Sequence, residues 1–233
     1  MNKKTASIAF FVAGLAAAVL FIVLRHSVPL PQAVLLKAIP TLLMAAWILV
    51  VRLDKSNAWI FAGLLFSMIG DIFMELPGET AFMVGIGANT LGIVCYTLYF
   101  YFSDRSPDLV RFIPVAIVMG VFYIILYDYL GDLKLAVFVY CFIHALFLWR
   151  SSARFGEEHI SPASQYVCFI GCVSVTISDF LLSLTIFGII PNVNKFQIVD
   201  MILWWSGLFM LTVTAEIRRR NMLASKDSAA PVE

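Results

Sequence analysis

The sequence predicts an all-α fold: a polytopic transmembrane helical bundle of about eight spans with both termini in the cytoplasm. Three observations carry this. Of the 233 residues, 61% are hydrophobic and 13% charged, and mean hydropathy is +0.93; a soluble domain has about half its residues apolar and about a quarter charged. Polar breaks cut the chain into apolar stretches of about 17–25 residues, the length a bilayer requires of a helix. The period-2 alternation of a membrane barrel is missing, and helices and closed barrels are the two forms that satisfy their own backbone in lipid.

The spans follow in order. The first, about 6–24, succeeds MNKK and closes at Arg25-His26. Its apolar run is too long for a signal-peptide core and has no small-residue cleavage site, so a retained helix is expected. The second, about 30–51, starts among Pro29 and Pro31 and holds Pro40 inside it. The third, about 57–76, stops at Pro77-Gly78, and the fourth covers about 81–101. The fifth, about 110–127, follows Pro107; the sixth, about 133–150, follows Gly131. The seventh, about 163–187, opens at Pro162, and the eighth, about 197–217, follows Pro191. These prolines and glycines punctuate short loops. One transmembrane domain is expected over 1–220. The polar end from about 221 (NMLASKDSAAPVE) is expected to be a disordered cytoplasmic tail.

Charge sets the orientation. With the N-terminus inside, the cytoplasmic segments carry Lys3, Lys4, Arg52, Lys55, Arg105, Arg111, Arg150, Arg154, Arg218, Arg219, Arg220 and Lys226. The opposite side carries Arg25, Lys134 and Lys195, and this bias agrees with an even number of spans. The net charge of +1 points away from nucleic acid. Cys95, Cys141, Cys168 and Cys172 all fall in apolar stretches. Cys168 and Cys172 are i,i+4 neighbours without further thiolates nearby, so packing is expected of all four, with no metal site.

Two aspartates lie deep in such stretches. Asp71 lies in GLLFSMIGDIFMEL and Asp179 in GCVSVTISDFLLSL; superposing them, a shift of 108 residues, also aligns Gly63 with Gly171 and Leu76 with Leu184. That shift maps the third span onto the seventh, and a duplication would make a 4+4 parallel repeat. An acid at the bilayer centre costs about 2.5–3.5 kcal/mol on insertion scales and is a functional-site hypothesis by default. At 1.5 Å rise per residue, Asp71 lies roughly 7–8 Å, Asp179 roughly 12 Å and Lys37 roughly 10 Å below the outer ends of their spans. The three therefore share one layer and are expected to face the bundle interior and one another. One reading is a structural ion pair that fixes helix register. The other is acid–base chemistry, in which one carboxyl carries a proton beside an ionised neighbour.

Other polar residues surround this layer in the sequence. Ser67 stands one turn before Asp71 and Glu75 one turn after it, where Glu75 reads as a solvated loop acid. Ser178 adjoins Asp179. His144 has Tyr140 one turn before it and reads as an interior histidine or a site residue. Asp200 and Glu216 lie near span ends, within reach of water. Tyr96, Tyr99, Trp204 and Trp205 suit either interfacial anchors or pocket walls.

Three segments resemble the YhhN family, whose characterised animal members are lysoplasmalogenases. Lys37-Ala38-Ile39-Pro40-Thr41 looks like that family's Lys-x-x-Pro segment. Gly63 to Asp71 is similar to its Ser-x-x-Gly-Asp helix, and Ile177-Ser178-Asp179 to its Ser-Asp helix. The order, the spacing and eight spans fit along nearly the whole chain. Two positions depart. Tyr96 matches a family tyrosine, but Ile93 stands where a histidine precedes it by three residues. Trp204-Trp205-Ser206-Gly207-Leu208 takes the place of a Tyr-Tyr-x-x-Gln-like segment and lacks the glutamine.

The resemblance implies hydrolysis of the vinyl-ether bond of a lysophospholipid substrate, with Asp71 and Asp179 as the catalytic carboxylates in an unassigned order. Lys37, Ser67, Ser178, Tyr96, Tyr140 and His144 would bind substrate or support the carboxylates. No cofactor is implied. The rival readings are a proton-coupled transporter, which would use broken helices at the site, and a non-catalytic lipid-binding member of the family. Short loops and a compact chain point to a bacterial inner membrane.

Overall fold

In the computed structural model the chain is described over residues 3–51, 57–103, 108–157 and 160–228. Eight helices are long and apolar enough to cross a membrane: α1 (Lys3–Leu24), α2 (Leu30–Val51), α3 (Asn57–Glu75), α4 (Glu79–Ser103), α5 (Phe112–Leu126), α6 (Lys134–Ser152), α7 (Pro162–Ile186) and α8 (Asn194–Ser228). No strand occurs among the described residues. The ends follow local chemistry. Ser161 caps α7 by accepting a hydrogen bond from the Ser164 amide, with Pro162 at the first position, where its missing N–H is harmless. Gly131, at φ +51°, turns the chain between α5 and α6 in a conformation other residues resist.

Two boundaries differ from expectation. The fifth span is a shorter α-helix with single 3₁₀ turns at Leu109–Arg111 and Tyr127–Tyr129. The Asp108 side chain accepts from the Arg111 amide and starts the first of these. The eighth helix continues to Ser228, beyond the point near 221 where a disordered tail was expected; Met222, Leu223 and Ala224 are all good helix formers. The last five positions, 229–233, lie outside the described residues.

Sequential neighbours pair antiparallel: α1 with α2, α3 with α4, α5 with α6, α7 with α8. The pairs join through α2 on α3, α4 on α6 and α6 on α7, and α8 closes the bundle against α2. Phe21 of α1 packs edge-on against Trp205 of α8 at 5.5 Å between centroids. All four cysteines are buried and free.

Glycine sets the two tightest pairings. On α3 and α4, a Cβ at Gly92 would stand 3.2 Å from the Gly63 carbonyl and 3.0 Å from Ser67 Oγ. On α7 and α8, a Cβ at Gly207 would stand 2.8 Å from the Gly171 carbonyl and 3.0 Å from the Val175 amide. Gly63 and Gly171, and likewise Ser67 and Val175, are the positions related by the 108-residue shift. A close glycine crossing thus occurs on both α3 and α7, although the partner glycines, Gly92 and Gly207, are not related by that shift. It lets backbones approach as small residues do in membrane helix pairs generally.

Gly207→Ala is therefore expected to destabilise the α7–α8 crossing by about 1–3 kcal/mol, the usual cost of overpacking. Gly87→Ala, where a Cβ meets nothing within 4 Å, is the control. Heating each detergent-solubilised variant with a thiol-reactive fluorophore reads the exposure of the four buried cysteines. Gly207→Ala is expected to melt well below wild type, and equal melting of the two variants would contradict the crossing.

Candidate functional site

Asp71 sits on α3, 4% exposed, and accepts a hydrogen bond from Thr41 Oγ1 of α2 at 3.0 Å. Lys37, one turn before Thr41 on the same face of α2, acts on this carboxylate through space. The indole N–H groups of Trp204 and Trp205 on α8 sit beside it without meeting strict hydrogen-bond geometry. Asp71 is thus ringed by donors, which suits an oxygen that accepts.

Asp179 on α7 is served in a parallel way by α6. His144 is wholly buried, and its Nε2 lies 3.1 Å from Asp179 Oδ2, at ion-pair distance though off the axis of a hydrogen bond. The Tyr140 ring, one turn earlier on α6, lies 4.6 Å from the imidazole between centroids, and Tyr140 interacts with the same carboxylate. The Thr176 hydroxyl lies 2.9 Å from the Cys172 carbonyl and 3.2 Å from His144 Nδ1, so it ties the far side of the imidazole to the α7 backbone and fixes the ring with Nε2 toward Asp179.

Asp71 and Asp179 line one cavity of about 190 Å³ at the end of the bundle where α3 and α7 finish. Two more acids share it. Glu75 forms an ion pair with Lys37 at 2.9 Å. Asp200 of α8 is half-buried and accepts from Ser178 Oγ at 2.6 Å, and both aspartates act on it electrostatically. Asn89 of α4 lines the cavity, with its Oδ1 buried against Gly70 of α3. At the mouth, Arg25 reaches Met201 Sδ at 3.6 Å and lies over the Phe21 ring. Among the described residues, no group of three or more His, Cys, Asp or Glu is placed to hold a metal ion.

The structure revises several expected partnerships. Lys37 contacts neither aspartate directly: the shorter route from α2 is to Glu75 at the end of α3, so Glu75 is no solvated loop acid. Ser67 does not orient Asp71. It bonds Tyr96 at 3.0 Å, and the two, both wholly buried, tie α3 to α4 away from the cavity. Ser178 holds Asp200 and not Asp179. Asp200 and Glu216 differ from the expected water-reachable acids: Asp200 lines the cavity and Glu216 is buried. Trp204 and Trp205 are cavity walls. Ile93 and Leu208 are wholly buried in the apolar core and do not line the cavity, so no polar group is lost from its wall at either position. Thr41, Asn89 and Arg25 gave no sequence signal as site residues, apart from Thr41 standing four residues after Lys37.

Together these features define an integral, multi-pass α-helical membrane protein with a carboxylate-rich cavity buried near one end. The YhhN family model matches residues 32–215, and the chain belongs to the YhhN family. No curated protein and no solved structure matches the chain.

Proposed function

We propose that the protein is a membrane-embedded hydrolase that cleaves the vinyl-ether bond of lysoplasmalogen-type lysophospholipids. The products are a fatty aldehyde and a glycerophospho-alcohol. The observation that carries this reading is the pairing, in one cavity, of Asp179, backed by the His144 imidazole, with a donor-ringed Asp71 carboxylate. Family membership supports it as well.

The chemistry has two stages. Asp179, backed by His144, gives its proton to the vinyl carbon remote from the ether oxygen, leaving an oxocarbenium ion. Asp71 faces that cation and stabilises its charge, an effect strengthened where water is excluded. One water then adds to the carbon bonded to oxygen and surrenders a proton to Asp200, the half-buried carboxylate held by Ser178. The resulting hemiacetal collapses to the aldehyde and the free alcohol, so one water is consumed. Return of the proton from Asp200 to the His144–Asp179 pair resets the site. Arg25 and Lys37 at the mouth suit the phosphate of a lysolipid.

A transporter reading gains little from the helices that form the site. α2, α3, α7 and α8 are each unbroken through the polar layer, including α2 at Pro40, whereas midplane carrier sites are built from interrupted helices.

Aldehyde release from a lysoplasmalogen in detergent tests the proposal. Asp71→Asn and Asp179→Asn are each expected to lower turnover by about 10²–10⁴, the span attributed to general acid–base catalysis. Unchanged turnover in both variants would refute the roles given to these residues, and an inactive wild type would refute the substrate.

A further inference from the structure

A second cavity, of about 600 Å³, lies between α4, α6 and α7. That is within the range of about 300–1,000 Å³ usual for sites that take drug-sized ligands. Met83 and Ile86 of α4, Ala136 and Val139 of α6, and Ile186 and Phe187 at the end of α7 line it. The cleft exists because α4 and α7 each pack on α6 while barely touching one another.

This cleft adjoins the polar cavity along α7. Ile186 lines both. Asp179, Ser183 and Ile186 follow each other at i, i+4 and i+7 on one face of α7, so a single helical stripe leads from the carboxyl into the apolar cleft. Ser183 keeps its hydroxyl on the Asp179 carbonyl at 2.8 Å and adds no polar demand to the cleft. Tyr140 walls the cleft and lies against His144, 4.6 Å between ring centroids, beside Asp179. Across the gap, Asn89 faces the polar cavity while Ile86 and Thr90, beside it on α4, face the cleft.

We infer that the α4–α7 cleft is the binding groove for a single alkyl chain, which enters sideways from the bilayer while the polar head occupies the carboxylate cavity. The inference rests on the lysophospholipid reading above and deepens it. In such a lipid the first two chain carbons carry the vinyl ether, at the border between polar head and apolar tail. Asp179 stands at the matching border in the protein. A chain entering across the α4–α7 gap past Tyr140 and Ser183 brings its head-proximal end to Asp179 beside His144.

Photolabelling tests this without relying on turnover. The probe is a saturated 1-O-alkyl lysophosphatidylcholine with a mid-chain diazirine, which has no vinyl ether to cleave. A diacyl phosphatidylcholine with the same diazirine is the control. The lyso probe is expected to label residues 83–90 and 133–140, and the diacyl probe to label the lipid-facing surface at large. Unlabelled 1-O-alkyl lysolipid in about tenfold excess should cut the groove labelling about tenfold by mass action. Ala136→Trp should abolish it; Ala136 is exposed, so the larger ring meets no core and folding is preserved. Labelling that matches the diacyl pattern, resists competition or survives Ala136→Trp would overturn the groove. Competed groove labelling in a preparation that releases no aldehyde from the vinyl-ether lipid would keep the groove and remove the hydrolase reading. Aldehyde release with diffuse labelling would do the reverse.

Discussion

Charge inside an apolar bundle has to be answered by other protein groups, and that requirement organises this molecule. Asp71, Glu75, Asp179 and Asp200 share one cavity with Lys37 and Arg25 at its wall and mouth. Each acid is answered from a helix other than its own: Asp71 from Thr41, Glu75 from Lys37, Asp179 from His144 and Asp200 from Ser178. Exposure to lipid would cost about 2.5–3.5 kcal/mol for each ionised group. The cavity gathers these costs at one place where partners and water meet them together. Four helices, α2, α3, α7 and α8, are thereby committed to fixed faces, with α6 behind Asp179.

The close crossings make that arrangement possible. Gly63 with Gly92 and Gly171 with Gly207 bring two helix pairs together at backbone distance. Both aspartates lie on the helices so clamped, eight residues beyond the clamping glycine in each case, just over two turns along. The clamps leave α4 and α7 free of one another, and the apolar cleft occupies the space between them. Tight packing on two sides and an opening on the third follow from the same distribution of small residues.

The fold was legible because lipid imposes it: long apolar runs and punctuating prolines mark every span to within a few residues. The two aspartates were legible for the same reason, as expensive residues in apolar company. Their partners were harder to read. Ser67 stands on the same helical face as Asp71, yet Tyr96 from α4 reaches it first. Asp200 and Glu75 sit near span ends, where sequence position suggests water, but the bundle end folds inward around them. Asn89 carries no sequence signature, because its role comes from facing a gap between helices that are far apart along the chain. Helical spacing speaks for neighbours on one helix, as with Lys37 and Thr41 or Tyr140 and His144, and is silent about which helix comes next.

Those two i,i+4 couples have a consequence of their own. Asp71 draws on α2 and Asp179 on α6, and the couples share no residue. Asp200 is common to both, since each aspartate acts on it electrostatically, and residues with a shared partner couple rather than add. Each carboxyl thus has two positions of one helix for local adjustment, while Asp200 carries part of any change at one half across to the other.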